Sequence, residues 1–584
     1  MSVVYVVAVG ALGALIFFYN LGAYGLWEPD EARYAEIARE MLALHDFVVP
    51  HLNYVPYVEK PPLLYWLTAL SMRVFGLTEF GARLVDAVAA MAALLATYLF
   101  TLKAFDRRRA LIAGAVLATS ALYAVMAQVL TTDMLLTAMI TVALFASYLH
   151  WRDGGAWCWL MYVAMGLGIL TKGPVGAAIP ILAGLVFLWW ERSLGGALRR
   201  FHFIPGILLT SAIAAPWFIA LTLRVPGYFE FYFIGENLRR FLQPGYSHGE
   251  PIYYYVPVII AGFLPWTLTL PFIPWRRLAP SSARRFCVIA AAVIFVFFSL
   301  ADAKLIPYVL PAFPPLAVLA ADGLAGFADN RSEEPDSENA LIDAPTRSLA
   351  DPRRLAALGP LLGIIGAAVI AVAIHAADFR TPYVMMVHPA LYAAGAIAIV
   401  AGAVCFALFW SRRFALGLFA LVLATAAVFV TATYGRLMAS PFRSYATLAR
   451  TIEARAPDAT LICYPRYMQS LPFYCRRRVI LVGNKTELTF GAKHSADADR
   501  YFFATQADLL RLWRERSPVV LVLDRSVFPP LESRLGAYTV IATDRKKIAI
   551  MRGGVAAQSH ATTRPIGLTR RPGNVSHEPR PSVK

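Results

Sequence analysis

Thirteen apolar runs of bilayer-crossing length fill most of this chain, and they decide its class before any single residue is weighed. They fall at about 3–24, 81–103, 110–128, 133–150, 157–173, 174–190, 203–223, 252–274, 284–300, 305–320, 356–376, 389–410 and 414–434. A hydrocarbon core about 30 Å thick takes roughly 20 apolar residues in a helix. Composition agrees: 58% of the 584 residues are hydrophobic and 16% charged, with a mean hydropathy of +0.57. A soluble globular protein is excluded. The first run lacks a basic start and a small-x-small cleavage site, so it reads as a retained first helix rather than a removed signal peptide.

The charges between the runs set an expected orientation. With the N-terminus inside, the short inner loops hold Lys103, Arg107, Arg108, Arg109, Arg152, Arg192, Arg199, Arg200, Arg276, Arg277, Arg284, Arg285, Arg412 and Arg413. Basic inner loops are what membrane insertion produces. The net charge of +17 therefore calls for no nucleic acid partner. The expectation is N-in, C-out, with the lipid bilayer as the surrounding partner.

Three regions would then lie outside. Residues 25–80 form a first loop whose segments 31–44 and 62–75 have mixed polar and apolar faces, suited to helices lying in the interface. Residues 224–251 form a second loop rich in aromatic and charged residues. From residue 435 to 553, strand-like runs (Thr460–Cys463, Arg478–Val482, Pro518–Leu523) alternate with a helical stretch (Gln506–Arg516), which predicts a small α/β domain. The polar segment 329–354 reads as a linker within the membrane domain of residues 1–434, and the tail 554–584 reads as disordered. No long internal repeat is visible, which weighs against a transporter built from repeated halves.

Lysine is scarce, and its scarcity selects a site. Arginine outnumbers it 45 to 9, and residues 1–440 hold only Lys60, Lys103, Lys172 and Lys304. Lys103 is explained by topology. The other three fall at the expected outer face, each at a helix end close to proline, as in Glu59-Lys60-Pro61-Pro62. Basic residues there are not favoured by insertion, and lysine is a compact charge suited to phosphate; snorkelling side chains are the blander reading. Asp30 and Glu31, after the first run, and Asp133, opening the fourth, fall at the same face. Each could instead simply favour a helix N-terminus. Six ionisable groups from distant segments on one membrane face nevertheless point to a polar, phosphate-bearing substrate handled there.

Weaker signals remain. His248, in the second outer loop, would offer a zinc or other divalent metal site together with Glu59 if the two fold together, although one His and one Glu make a thin ligand set. Cys463 and Cys475 could form a disulfide if the C-terminal part is extracytoplasmic; spacing alone does not fix the geometry. The remaining cysteines sit in or beside apolar runs as packing residues.

Taken together, the Asp-Glu loop after the first helix, Glu59-Lys60-Pro61-Pro62, Thr131-Thr132-Asp133, Thr171-Lys172-Gly173-Pro174, Glu236-Asn237-Leu238-Arg239-Arg240-Phe241 and Lys304-Leu305-Ile306-Pro307-Tyr308 resemble bacterial GT-C glycosyltransferases, most closely the ArnT-like transferases that place 4-amino-4-deoxy-L-arabinose on lipid A. The resemblance runs from Met1 to about Arg552. It implies an all-α polytopic GT-C fold of about thirteen transmembrane helices with an extracytoplasmic α/β domain, in a bacterial inner membrane. Carried over by motif, Asp30 matches the catalytic aspartate of the first loop and Asp133 the second acidic position, with Glu31 beside them as a further catalytic candidate. Glu59 and Lys60 match the acidic and phosphate-binding positions. Arg33, Tyr57, Lys172 and Tyr308 would line the site, and Lys304 would add a phosphate contact.

The resemblance further implies a polyprenyl (undecaprenyl) phosphate sugar as donor and lipid A or another envelope molecule as acceptor. No cofactor is required, with a divalent metal as an option. A protein O-mannosyltransferase-like enzyme shares the Asp-Glu first loop and would need a peptide groove. A transporter would need its charges near the bilayer midplane rather than at one face.

Overall fold

The computed structural model describes residues 2–239, 250–272, 281–327, 351–375, 382–544 and 546–553. The chain opens with α1 (Ser2–Phe18), α2 (Asp30–Leu44), the short strands β1 (His51–Leu52) and β2 (Val55–Pro56), and α3 (Leu63–Phe75). The bundle follows with α4 (Glu79–Ala104), α5 (Arg107–Ala118), α6 (Ala121–Met126), α7 (Thr132–Asp153), α8 (Trp157–Lys172), α9 (Val175–Trp190), α10 (Leu194–Arg200) and α11 (Phe203–Arg224). A π-helix, Glu230–Arg239, begins the second loop. Then come α12 (Tyr255–Gly262), α13 (Ser282–Leu300), α14 (Phe313–Ala325), α15 (Leu358–Ile374), α16 (Pro382–Trp410) and α17 (Phe414–Arg443). Asp351 caps, and residues 352–354 of the expected linker enter, a 3-10 turn ahead of α15; residues 328–350 and the tail after 553 lie outside the described residues.

Helix occupies each of the thirteen expected runs, but among the described residues only eight helices are both long and apolar enough to span: Glu79–Ala104, Thr132–Asp153, Phe203–Arg224, Ser282–Leu300, Ile306–Ala325, Pro352–Ile374, Met385–Trp410 and Phe414–Arg443. Three of the other runs are shorter apolar helices, Val4–Phe18, Trp157–Lys172 and Val175–Trp190. The remaining two runs, 110–128 and 252–274, are broken. Thr119 and Ser120 turn their hydroxyls back to the carbonyls of Ala115 (2.6 Å) and Val116 (2.7 Å), separating α5 from α6. The run 252–274 is likewise split into α12 and a 3-10 turn, Trp266–Phe272. The two breaks are packed together: the Trp266 indole N–H donates to Thr119 Oγ1 (3.0 Å) and Ala121 N to Leu264 O (3.1 Å). Each break thus satisfies polar groups freed by the other, as buried irregular backbone requires.

The expected interfacial pair also divides. α3 exposes Leu70, Val74 and Phe75, an apolar face suited to the interface. α2 instead buries ten of its residues from Glu31 to Met41, so its polar positions are internal ion pairs rather than a wet face.

The C-terminal domain begins later than residue 435, because α17 runs on to Arg443. It comprises α18 (Ala446–Arg455), β3 (Thr460–Tyr464), α19 (Ser470–Cys475), β4 (Ile480–Val482), α20 (Thr489–Lys493), α21 (Ala498–Tyr501), β5 (Phe502–Phe503), α22 (Gln506–Glu515), β6 (Val519–Asp524), α23 (Pro529–Leu535), β7 (Thr539–Thr543) and β8 (Lys547–Arg552). The six strands lie in the order β5-β4-β3-β6-β8-β7. β5, β4, β3 and β6 are parallel, and β8 and β7 close the sheet antiparallel. Burial on both faces explains the continuous apolar run Val519–Leu523. One face packs Leu509, Trp513, Leu531 and Leu535; on the other, Leu461, Cys463, Val520 and Val522 belong to the core that continues into the bundle. Cys463 and Cys475 are buried and not bonded to each other.

The domain is seated on the β1–β2 hairpin. Its two-residue loop, Asn53-Tyr54, has positive φ at both positions (53° and 61°), as a type I′ turn requires. Asn53 exchanges two hydrogen bonds with Val479, Nδ2 to O (3.0 Å) and N to Oδ1 (2.9 Å). Gly491 lies so close to the hairpin that a Cβ there would fall 2.3 Å from the Pro56 carbonyl oxygen.

Candidate active site

Asp30 and Glu31 begin α2, where negative side chains suit the helix N-terminus, yet they have opposite surroundings. The Asp30 side chain is 55% exposed, and its Oδ1 lies 3.0 Å from Arg33. The Glu31 side chain is 2% exposed and forms a bidentate pair with Arg83 at 2.7 and 2.8 Å. It also accepts from Trp27 N (2.9 Å) and Leu130 N (3.1 Å). Arg83 itself donates to the carbonyls of Leu21, Tyr24 and Gly25 and lies 3.9 Å from the Tyr24 ring centroid. Glu31 is therefore placed as a buried tie between the first loop, α4 and the start of α7.

Arg33 reaches from α2 to two carboxylates. One arm holds Asp30, and the other lies 2.6 Å from Glu487 in the C-terminal domain. Glu487 also accepts from Gln469 Nε2 (2.7 Å). Glu28 accepts from the backbone N–H groups of Gln469 (3.1 Å) and Ser470 (2.6 Å) at the start of α19. Burial pushes the carboxyls of Glu28 and Glu487 above the usual range, against the lowering effects of Ser470 and Arg33 respectively. Sequence reasoning missed Glu487. Its stretch, Gly483-Asn484-Lys485-Thr486-Glu487, carries no motif, and only the docking of the domain brings it to Arg33.

Beside this group, the Tyr57 hydroxyl donates to Glu59 (2.8 Å). Burial raises the phenols of Tyr34 and Tyr57, with Asp30 and Glu59 respectively adding to it. Lys60 follows Glu59 and is half-buried. From the bundle, Lys172 at the end of α8 lies 2.5 Å from Asp133 at the start of α7. Its ammonium also sits 3.9 Å from the Tyr308 ring centroid, so Asp133, Lys172 and Tyr308 form one cluster. Lys304 donates to the Glu250 carbonyl (2.9 Å).

The proposed metal pair is only half described. Glu59 is engaged by Tyr57, and His248 lies outside the described residues. Among the described residues no group of three or more His, Cys, Asp or Glu side chains gathers as a metal-ligand set.

The charges of Asp30, Arg33, Asp133 and Glu59 all act on the Tyr34 phenol, Arg33 also holds Glu487 and Asp133 holds Lys172, so these groups, with Lys60 next in sequence to Glu59, neighbour one another where the α/β domain meets the bundle. Lysine and arginine there can receive phosphate oxygens, and a half-exposed carboxylate can orient or deprotonate an acceptor.

Known proteins share this architecture. Residues 59–220 match the family described as dolichyl-phosphate-mannose-protein mannosyltransferase, and residues 448–552 match the aminoarabinose transferase C-terminal domain. An undecaprenyl phosphate-alpha-4-amino-4-deoxy-L-arabinose arabinosyl transferase from Pectobacterium carotovorum is 34% identical over 408 residues, 68% of each chain. A transferase of the same name from Shewanella sediminis is 27% identical over 561 residues, covering 91% of this chain and 97% of the relative. The crystal structure of ArnT from Cupriavidus metallidurans bound to undecaprenyl phosphate superposes with a TM-score of 0.82 at 27% identity, covering 94% of this chain and 98% of that one. A shared fold over the whole length, a matching C-terminal domain and a relative of this identity lead to one conclusion: this chain belongs to the undecaprenyl phosphate-alpha-4-amino-4-deoxy-L-arabinose arabinosyl transferases, glycosyltransferases built into a membrane.

Proposed function

We propose that this protein moves 4-amino-4-deoxy-L-arabinose from undecaprenyl phosphate to a phosphate of lipid A, at the outer face of a bacterial inner membrane, with the α/β domain in the periplasm. The observation that carries the proposal is the gathering of Arg33, Lys60 and Lys172 with Asp30 and Asp133 at one end of the bundle. The basic loops at the opposite end support the orientation.

The bond that breaks joins the anomeric carbon to a phosphate oxygen of the donor. Its electron pair leaves with undecaprenyl phosphate while positive charge develops on the sugar. Lys60 and Lys172 stabilise the departing anion in a poorly hydrated site, where such contacts are worth more than in water. Lys172 already commits a contact to Asp133, but an ammonium has three donors, so it can hold Asp133 and a phosphate oxygen together. Tyr57 and Tyr308 wall the site, and Arg33 steadies Asp30. The new bond forms between the anomeric carbon and an acceptor oxygen on the opposite face. A lipid A phosphate arrives as an anion and needs no base, so Asp30 would act by holding Arg33 toward it rather than by deprotonation. A protein hydroxyl, the acceptor implied by the match at residues 59–220, would instead need Asp30 as base.

The deciding experiment supplies reconstituted protein with undecaprenyl-phosphate aminoarabinose and both acceptors. Mass spectrometry should show the pentosamine on lipid A and not on exported proteins; the reverse would move the enzyme to the second reading. For orientation, alkaline phosphatase fused after Arg436 should be active, and an expressed but inactive fusion would invert the topology.

A further inference from the structure

Asp86 lies on α4, outside every motif described above, and it is completely buried. One carboxyl oxygen faces the backbone N–H of Thr131 at 3.4 Å. Its other oxygen has no hydrogen-bond partner, and neither does the equally buried hydroxyl of Thr131. Thr131 is the residue immediately before α7, and its side chain does not cap that helix. The nearby charges are already committed: Arg83 to Glu31, and Lys172 to Asp133. A buried carboxyl with a free oxygen costs stability, so its presence calls for a task that an apolar residue could not perform.

We propose that Asp86 is a positioning residue for sugar transfer: by accepting from the Thr131 N–H it fixes the first turn of α7, and so the place of Asp133 and the Lys172 ammonium bound to it. The inference rests on the reading of Asp133 and Lys172 given under the proposed function. It differs from a generic packing role because the backbone N–H of a helix start is one of four donors without an intrahelical acceptor. An apolar residue at position 86 leaves that donor unsatisfied and the turn free to shift. The task asks for an acceptor atom, not for a charge. Asparagine offers the same acceptor, and its amide can donate to the orphaned Thr131 hydroxyl.

The test compares Asp86→Ala, Asp86→Asn and Thr131→Val in reconstituted membranes, using undecaprenyl-phosphate aminoarabinose as donor. Rates are expressed per donor-binding site, so that misfolded protein is not counted. Asp86→Ala should lower kcat by about 10²-fold, the cost of a misplacement near 1 Å, with donor KM close to wild type. Asp86→Asn should restore kcat, and Thr131→Val, which keeps the backbone N–H, should leave it unchanged. Wild-type kcat in Asp86→Ala would overturn the proposal, as would an Asn variant as slow as Ala, which would show that charge is needed. If Asp86→Ala does not fold, the other two variants decide: both must keep wild-type kcat. Lys172→Met separates the two readings. Its full activity would remove the parent site, whereas an inactive Lys172→Met beside an active Asp86→Ala would remove only the role of Asp86.

Discussion

At the bundle end away from the α/β domain, Asp322 is enclosed by Arg109 (Nε to Oδ1, 2.8 Å) and Arg284 (3.1 Å for its second contact), while Arg109 also holds Asp106. At the domain end, Asp30 touches one arginine, and more than half of its side chain meets solvent. Both ends are rich in paired charges, so pairing does not mark a site. Completion does. The Asp322 carboxylate is held on both oxygens and nearly removed from water, which suits a clasp between α5, α13 and α14. Asp30 keeps an open oxygen, and Arg33 divides itself between Asp30 and Glu487. The Glu31–Arg83 pair brings the same contrast to one residue's distance: two adjacent carboxylates, one closed and one open.

Substitution can break this contrast directly. Asp30→Asn should reduce transfer by about 10²-fold or more, the cost of lost positioning near the reacting atoms, while its melting curve stays near wild type. Transfer at a comparable rate would end the claim that the open carboxylate is the functional one. The neighbouring Glu31→Gln should do the reverse of a benign control, leaving Arg83 buried without its counter-charge. The expected loss is about 3–5 kcal/mol of stability, read as a large drop in Tm; an unchanged Tm would show that Glu31 is not a structural tie. Lys60→Ala should slow transfer by about 30- to 1000-fold, corresponding to roughly 2–4 kcal/mol of lost anion stabilisation, whereas Lys103→Ala should not, and equal rates would dissolve the phosphate site.

At the closed end, Asp322→Asn should cost roughly 1–3 kcal/mol in stability with donor KM unchanged, less than Glu31→Gln because both arginines keep some access to water. The smallest effect should come from Glu40. Burial, and the neighbouring Glu36, push its carboxyl well above the usual value. The folded form therefore holds a proton more tightly than the unfolded chain, and this stability is full below pH 4.5 and lost as pH rises toward the folded pKa. Glu40→Gln should flatten that slope, so a Tm–pH curve identical to wild type above pH 4.5 would rule out the assignment.

The sequence displayed what is local. Apolar runs of spanning length located the helices, including the broken ones, because burial in lipid demands composition before it demands geometry. Strand-like runs at 460–463 and 518–523 returned within a residue or two as β3 and β6. Scarce lysine singled out Lys172, which the fold sets against Asp133 and Tyr308. What was hidden depends on distant contact. Nothing in Asp30-Glu31 says which carboxylate will meet Arg83, and nothing near Glu487 announces Arg33. The polar face of α2 was legible as polar, but not as the inner side of an interface, because a domain from the far end of the chain covers it. Lys304 shared the helix-end signal of Lys172 and yet turned to a backbone carbonyl.

The contact at Gly491 has a consequence for how the enzyme is made. The hairpin that carries Asn53 is translated long before the strands that need it as a seat, so the first loop must wait unfinished while the bundle is threaded. Arg33 gains its second carboxylate only when the C-terminal domain arrives. Assembly of the reaction centre is thereby deferred to the end of synthesis, and a single methyl group at residue 491 would act as a wedge at that final docking. In a Gly491→Ala protein the added Cβ would meet the Pro56 carbonyl, so the hairpin and the domain could not close to their present distance.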